Sequence, residues 1–256
     1  MKNGDSRRKV NIFWKITVPL LPSSCFIIMI VPMRILALVA GTNEPSNSNV
    51  LANTFLEGAA SIPGTETEII RLKDLPLPHF TLDCYQDNCP VPPEYLRLKR
   101  AIETADGVLI ATPIWNFGVP AHLKNAIDWI GCFALDTETK SKGTLRSKPF
   151  YFIFTGGAPV AAWKGLMRFT TISVPEGIRY FGGTIAGKYF EGKCMVGRGT
   201  FGLVVDKRPE SLARVRARGQ RFALFVKRFK ETGKLPLWKR IVETLYKWGQ
   251  RIAAKL

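Results

Sequence analysis

The sequence has 256 residues, 46% of them hydrophobic and 22% charged, with a formal net charge of +17. That length holds one α/β domain of about 150–200 residues plus extensions and leaves little room for two, while the composition excludes wholesale disorder. The charge is uneven: residues 1–33 carry +4 and residues 206–256 carry +11, which leaves only +2 on residues 34–205, so a site in the centre draws little help from a global field.

Arg7-Arg8-Lys9 precede a mostly apolar stretch, Val10–Met33. Lys15 and three prolines (Pro19, Pro22 and Pro32) make it a poor uninterrupted spanning helix, which needs about 20 apolar residues. The charge order suits an export signal, but no small-residue cleavage site precedes Arg34. Three readings of residues 1–33 stay open: an extension outside the native protein with Met33 as the true start, a membrane-interacting anchor, and an export signal.

From Arg34 onward short apolar runs alternate with helical patterns, the mark of βαβ units and a parallel sheet. Ile35–Ala40 is a continuous apolar run closed by Gly41, as expected of a strand buried on both faces. A helix begins near Ser48 with Leu51, Phe55 and Ala59 on one face, and Glu66–Leu72 forms a second strand. After a proline-rich loop, Leu75–Pro93, a helix opens at Pro93 or Glu94 and reaches Thr104. Gly107–Ala111 is a third buried strand, Ala121–Trp129 a helix, Lys148–Thr155 a fourth strand and Thr184–Phe190 a fifth. Pro209–Lys230 is a long amphipathic helix with proline in its first turn and Gly233 at its close. Five strands joined by crossover helices fit a doubly wound α/β sheet of order 2-1-3-4-5, whose crevice opens at the carboxyl ends of strands one and three.

The loops that leave those two strands are Gly41–Asn49 and Thr112–Gly118. The first, GTNEPSNSN, supplies small hydroxyl and amide side chains at a helix start, a neutral cradle for phosphate aided by the helix dipole. It is neither a Walker A loop nor a G-x-G-x-x-G fingerprint. Capping the helix is the plainer role, but a cap needs one such residue and the loop has six. The second, TPIWNFGVP, sets two aromatic side chains, an amide and a glycine between prolines, so a stiff loop offers stacking surface and close backbone approach to a flat ligand.

Two segments, GTNEPSNSNVL at Gly41–Leu51 and ADGVLIATPIWNFGVPAHLKNAIDW at Ala105–Trp129, carry a resemblance to a known family. Residues 34–132 resemble the NAD(P)H-dependent FMN reductases, a branch of the flavodoxin-like superfamily that includes quinone, azo-dye and chromate reductases. The second segment is the more specific, with its Ala-Asp pair, buried strand, Pro-aromatic-Asn run and Pro-x-x-Leu-Lys-Asn-x-x-Asp-Trp. The resemblance implies that Thr42, Ser46, Asn47 and Asn49 hold the phosphate of FMN. It implies that Pro113, Ile114, Trp115, Asn116, Phe117 and Gly118 line the isoalloxazine and that Thr155, Gly156 and Gly157 close the far side. It implies NADPH or NADH as co-substrate, a quinone-like or other small electron acceptor, a homo-oligomer and a cytoplasmic location. Two positions depart from the family pattern. Glu44 stands where many members have arginine, and Ile114-Trp115 stands where Glu-Tyr is usual. The expected organisation is an extension at 1–33, a flavodoxin-like FMN-binding domain at 34–232 and a basic amphipathic helix at 233–256. Two alternatives accompany the reductase reading: an electron carrier without NAD(P)H activity, and a flavin-free protein that binds a membrane or partner.

Other chemistry finds less support. Lys124 and Asp128 stand at i, i+4, which predicts an ion pair, with Trp129 packing beneath the loop. His79 and His122 lack a partner carboxylate, serine or cysteine at motif spacing, so a nucleophilic triad has no support; in the reductase reading the cofactor does the chemistry, and no side chain is named as catalytic. Five widely spread cysteines (Cys25, Cys84, Cys89, Cys132 and Cys194) suit a reduced protein. The Cys84-x4-Cys89 pair is a poor metal-ligand set, and no metal is expected. In Leu237–Leu256, Trp238, Ile241, Val242, Leu245, Trp248 and Ile252 share one face with lysines and arginines elsewhere. That pattern suits peripheral contact with an anionic membrane; the plainer alternative docks the apolar face on the domain or a second subunit and solvates the basic one. No groove-reading or base-stacking motif accompanies the charge, so no nucleic-acid partner is expected.

Overall fold

The computed structural model describes residues 32–86, 89–165 and 167–253. The readings of residues 1–31 therefore lie outside the described residues. Five strands, β1 Met33–Val39, β2 Thr65–Arg71, β3 Gly107–Pro113, β4 Pro149–Thr155 and β5 Thr184–Glu191, form one parallel sheet in the order β2-β1-β3-β4-β5. Among the described residues seven α-helices accompany them: α1 Asn47–Ala60, α2 Pro93–Thr104, α3 Ala121–Ala134, α4 Val160–Lys164, α5 Ser173–Tyr180, α6 Pro209–Thr232 and α7 Leu237–Ala253.

The alternation of side chains along each strand divides the core into two layers. Leu36, Leu38, Val108, Ile110, Phe150, Phe152 and Phe154 pack against α2, α3 and α5. Ile35, Ala37, Val39, Leu109, Ala111 and Ile153 pack on the other face against Leu51 and Phe55 of α1 and Val215 and Phe222 of α6. Burial on both faces is why these strands are continuous apolar runs. Helices α1 and α6 cross through two glycines. A Cβ on Gly58 would lie 2.0 Å from the Arg216 carbonyl oxygen, and one on Gly219 would lie 1.9 Å from that of Phe55. Gly233 ends α6 in the left-handed region, φ 63°, with its N–H donating to Phe229 O at 2.8 Å.

The run after β3 that carries the family resemblance serves the fold as its spacing predicts. Lys124 Nζ pairs with Asp128 at 2.6 and 2.8 Å. Asn125 donates to Pro78 O at 2.9 Å and accepts from Phe80 N at 2.8 Å, while Trp129 Nε1 donates to Pro78 O at 2.8 Å, so α3 staples the proline-rich loop in place. Helices α4 and α5 have no clear sequence signal. They are five and eight residues long, shorter than a periodicity window, and Pro175 and Gly177 lie inside α5.

Helix α7 does not rest on the domain by the side its pattern marks as apolar. Its apolar face is not against the domain: Leu237, Trp238, Ile241, Val242, Leu245 and Trp248 are 39–69% exposed. The polar flank docks instead. Glu243 is buried with an oxygen 4.0 Å from Arg179 Nε, the Arg179 guanidinium stands 5.4 Å from the centre of the Tyr246 ring, and Lys239 Nζ donates to Ile185 O. Among the described residues, no helix is long and apolar enough to cross a membrane.

Candidate functional site

At the carboxyl ends of β1, β3 and β4 three loops meet around one cleft. Its wall comprises Gly41, Asn43, Pro45, Ser46, Asn47 and Ser48 from the first loop, Pro113–Trp115 from the second and Thr155–Gly157 from the third, with Cys194, Phe201 and Gly202 from the segment after β5. The loops are joined by extending the ladder past the strand ends. Ala40 N donates to Ala111 O at 2.8 Å, Ile114 N to Thr155 O at 2.8 Å and Gly156 N to Glu191 O at 3.0 Å. His122 adds a bond from Nε2 to Ala40 O, 2.8 Å, which ties the start of α3 to the end of β1.

Ser46 caps α1: its Oγ accepts from Asn49 N at 3.3 Å and lies 3.1 Å from Ser48 Oγ, both hydroxyls being buried. One hydroxyl donates to the other, so one proton of the pair is left for an anion at the positive end of the helix. Gly41 keeps that space open, since a Cβ there would stand 2.2 Å from Ser48 Oγ and 2.3 Å from Ser46 Oγ. Asn47 turns its side chain to a different task. Nδ2 donates to Gly202 O at 2.7 Å and Oδ1 accepts from Val204 N at 3.0 Å and Val205 N at 3.2 Å, which holds the Phe201–Gly202 wall to α1. Thr42 and Asn49 are not on the cleft wall; the Asn49 amide serves the cap.

Glu44 does not leave the first loop anionic. Lys73 Nζ stands 2.5 Å from its Oε1 and Arg71 Nη1 bonds the same oxygen. Hydrogen bonds from Lys73 and Arg71 hold the Glu44 carboxyl below its ordinary range. Arg71 Nη2 also reaches Gly41 O at 3.4 Å. Two cations therefore answer one carboxylate in the first loop. Their signal was the strand order: β2 lies beside β1, with Arg71 opposite Val39, so the end of β2 borders the first loop.

The second loop turns sharply. Trp115 N donates to Gly118 O at 2.9 Å and Gly118 N to Trp115 O at 2.8 Å, a two-residue hairpin with Asn116 at φ 47° and Phe117 at φ 62°. A phenylalanine in the left-handed region costs about 1–2 kcal/mol, strain of the kind kept at ligand clamps. Phe117 is 68% exposed, and Asn116, Phe117 and Gly118 stand beyond the wall that Pro113, Ile114 and Trp115 form.

The far wall is anchored by a buried carboxylate. Glu191 accepts from Arg208 Nη1 at 2.7 Å, from Ser211 Oγ at 3.1 Å and from the Tyr189 hydroxyl, while Arg208 also donates to Gly192 O and Lys193 O at 2.8 and 2.7 Å. Cys194 lines the cleft with its thiol donating to Glu191 O at 3.3 Å, and burial pushes its pKa up to about 11, so it is a neutral wall residue. The assembled cleft sets the start of α1, which favours an anion, beside a wall of backbone and apolar side chains between the second and third loops.

Comparison with known proteins bears on what that cleft is. An NADPH:quinone oxidoreductase of Arabidopsis thaliana is 35% identical over 97 residues, 38% of this chain and 44% of the relative. An FMN-dependent NADH:quinone oxidoreductase of Marinomonas sp. (strain MWYL1) is 30% identical, with 47% of this chain and 71% of the relative covered. The quinone reductase of Escherichia coli (strain K12) is matched over 50% of its length, and the chain spans about half the length of most of these curated relatives. A solved NAD(P)H:quinone oxidoreductase from Methanothermobacter marburgensis superposes over 74% of this chain and 96% of its own, with a TM-score of 0.57 at 20% identity, a likeness of fold. Residues 33–167, which carry β1 to β4 and all three loops, match the family described as NADPH-dependent FMN reductase, and the chain belongs to that family.

Proposed function

We propose that this protein is an FMN-dependent oxidoreductase that takes electrons from NADPH or NADH and passes them to a quinone-like small acceptor. The observation that carries this reading is the meeting of all three resembling loops on one cleft. The residues fit FMN: a helix start with a free hydroxyl proton for the phosphate, a glycine where a Cβ would fill the space, and a wall of backbone and aromatic side chains for the ring. FMN, when bound, supplies the two-electron chemistry.

The chain's own residues bind and orient. Ser46 and Ser48 hold the phosphate, with Arg71 and Lys73 balancing its charge across Glu44. Pro113–Trp115 and Thr155–Gly157 grip the ring from two sides, and Trp115 and Phe201 exclude water at the rim. Thr42, Asn49, Asn116, Phe117 and Gly118 belong to the same proposal, as residues that shape the two loops or meet the incoming nicotinamide and acceptor. No side-chain acid or base is assigned. A homo-oligomer in the cytoplasm, as the resemblance implies, completes the reading; sedimentation of the purified protein tests the oligomer.

The deciding experiment is the absorption spectrum of purified protein, followed by anaerobic NADPH and then NADH. A yellow protein that either nucleotide bleaches, and a quinone re-oxidises, is the expected result. Yellow that neither bleaches identifies an electron carrier, and colourless protein that ignores added FMN removes the flavin altogether.

A further inference from the structure

Among the described residues, the apolar face of α7 has no partner, and its surroundings say what covers it. At about 100° per residue, Leu237, Trp248, Ile241, Leu245, Trp238 and Val242 occupy one continuous arc, and all six are exposed. Lys239, Glu243 and Tyr246, by which the helix docks, lie on a different side. The domain thus holds α7 by its back and presents its apolar front outward. Next to that front stand exposed Arg240 and Lys247, and residues 206–256 carry +11. A second copy seated there would bring like charges together around the contact. An anionic lipid surface offers the opposite sign, and two indoles on the arc, Trp238 and Trp248, are side chains that sit well at the headgroup level.

We propose that α7 is an interfacial helix that seats this protein on an anionic membrane surface. The helix lies in the plane of the headgroups, its apolar arc in the acyl boundary and its basic rim on the lipid phosphates, with the domain above. This inference is independent of the flavin reading.

Flotation of the full-length protein with vesicles tests it. One set is phosphatidylcholine alone and the other contains phosphatidylglycerol. The expected result is at least about ten-fold more protein floating with the anionic set, and loss of that excess at ~1 M salt, where the Debye length falls to about 3 Å. Leu245→Asp and Ile241→Asp alter exposed positions, so both should keep the circular dichroism and flavin spectra of the parent and lose flotation; Arg240→Glu with Lys247→Glu should do the same. No preference for the anionic vesicles, or a Leu245→Asp protein that floats undiminished, would overturn the proposal. So would light scattering that shows a dimer dissolved by Leu245→Asp, which would give the face to a second copy. Flavin content and NADPH bleaching stand apart from every one of these outcomes.

Discussion

Gly41 shows how much a single hydrogen atom can decide. Its backbone needs no left-handed angle, so alanine is allowed by φ alone; the obstacle is the pair of hydroxyls at 2.2 and 2.3 Å from the place its Cβ would take. Gly41→Ala therefore pushes Ser46 and Ser48 off the space that the phosphate is proposed to use, at the loss of a cap that contributes about 1 kcal/mol. FMN affinity should fall at least about ten-fold, the equivalent of 1.4 kcal/mol, measured by titrating the quenching of flavin fluorescence. An unchanged dissociation constant would show that the cradle does not hold the phosphate. Glu44 makes the complementary point. Read along the sequence it is an anion in a loop expected to hold phosphate; read in space it is one carboxylate facing Arg71 and Lys73.

Between elements, the decisive contacts join segments far apart in the chain, which is why the sequence hides them. Asn47 has the composition of a phosphate ligand, yet its amide brackets Gly202, Val204 and Val205, more than 150 positions away. Asn47→Ala removes three hydrogen bonds and leaves two amides without an acceptor, a loss of about 2–3 kcal/mol. The melting temperature should fall by about 5–10 °C in scanning calorimetry, with the Phe201 rim loosened; a fall of less than about 1 °C would dismiss the bracket. The strands and most helices were legible because continuous apolar runs and Pro or Gly boundaries are local signals, and the order 2-1-3-4-5 followed from crossover chemistry. The second loop was legible for the same reason, since its residues adjoin in sequence. The wall formed by Cys194, Phe201 and Gly202 was not, because Arg208 and Asn47 place it through long-range bonds. Nor was the docking of α7, whose hydrophobic pattern marks an apolar face without saying what that face meets.

For the whole molecule, the buried titratable groups set a pH of greatest stability, and its position can be argued from signs. Burial holds the amines of Lys148 and Lys239 down to about 8, against an ordinary 10.5. Above pH 8 the unfolded chain keeps protons there that the folded chain has released, so stability rises with pH. Burial moves the thiols of Cys132 and Cys194 the other way, up to about 12 and about 11 from an ordinary 9.0, and the phenols of Tyr95 and Tyr189 up to about 12 from 10.0. Above pH 9, and further above pH 10, the folded chain retains protons that the unfolded chain loses, so stability falls. The two trends oppose each other and set a maximum near pH 9. Urea unfolding in the presence of reductant at about pH 7.5, about 9 and about 10.5 should show the midpoint rise and then fall. Lys148 is engaged with the carbonyls of Ile102 and Glu103 at the end of α2, just before the amino end of β4, whereas the cleft lies at the carboxyl ends of the strands. Lys148→Met should flatten the rise and leave the fall, whereas Cys194→Ala should weaken the fall and leave the rise. A curve that only declines from pH 7.5 would show that both lysines remain charged in the folded state, and a Lys148→Met protein that keeps the full rise would show it of Lys148.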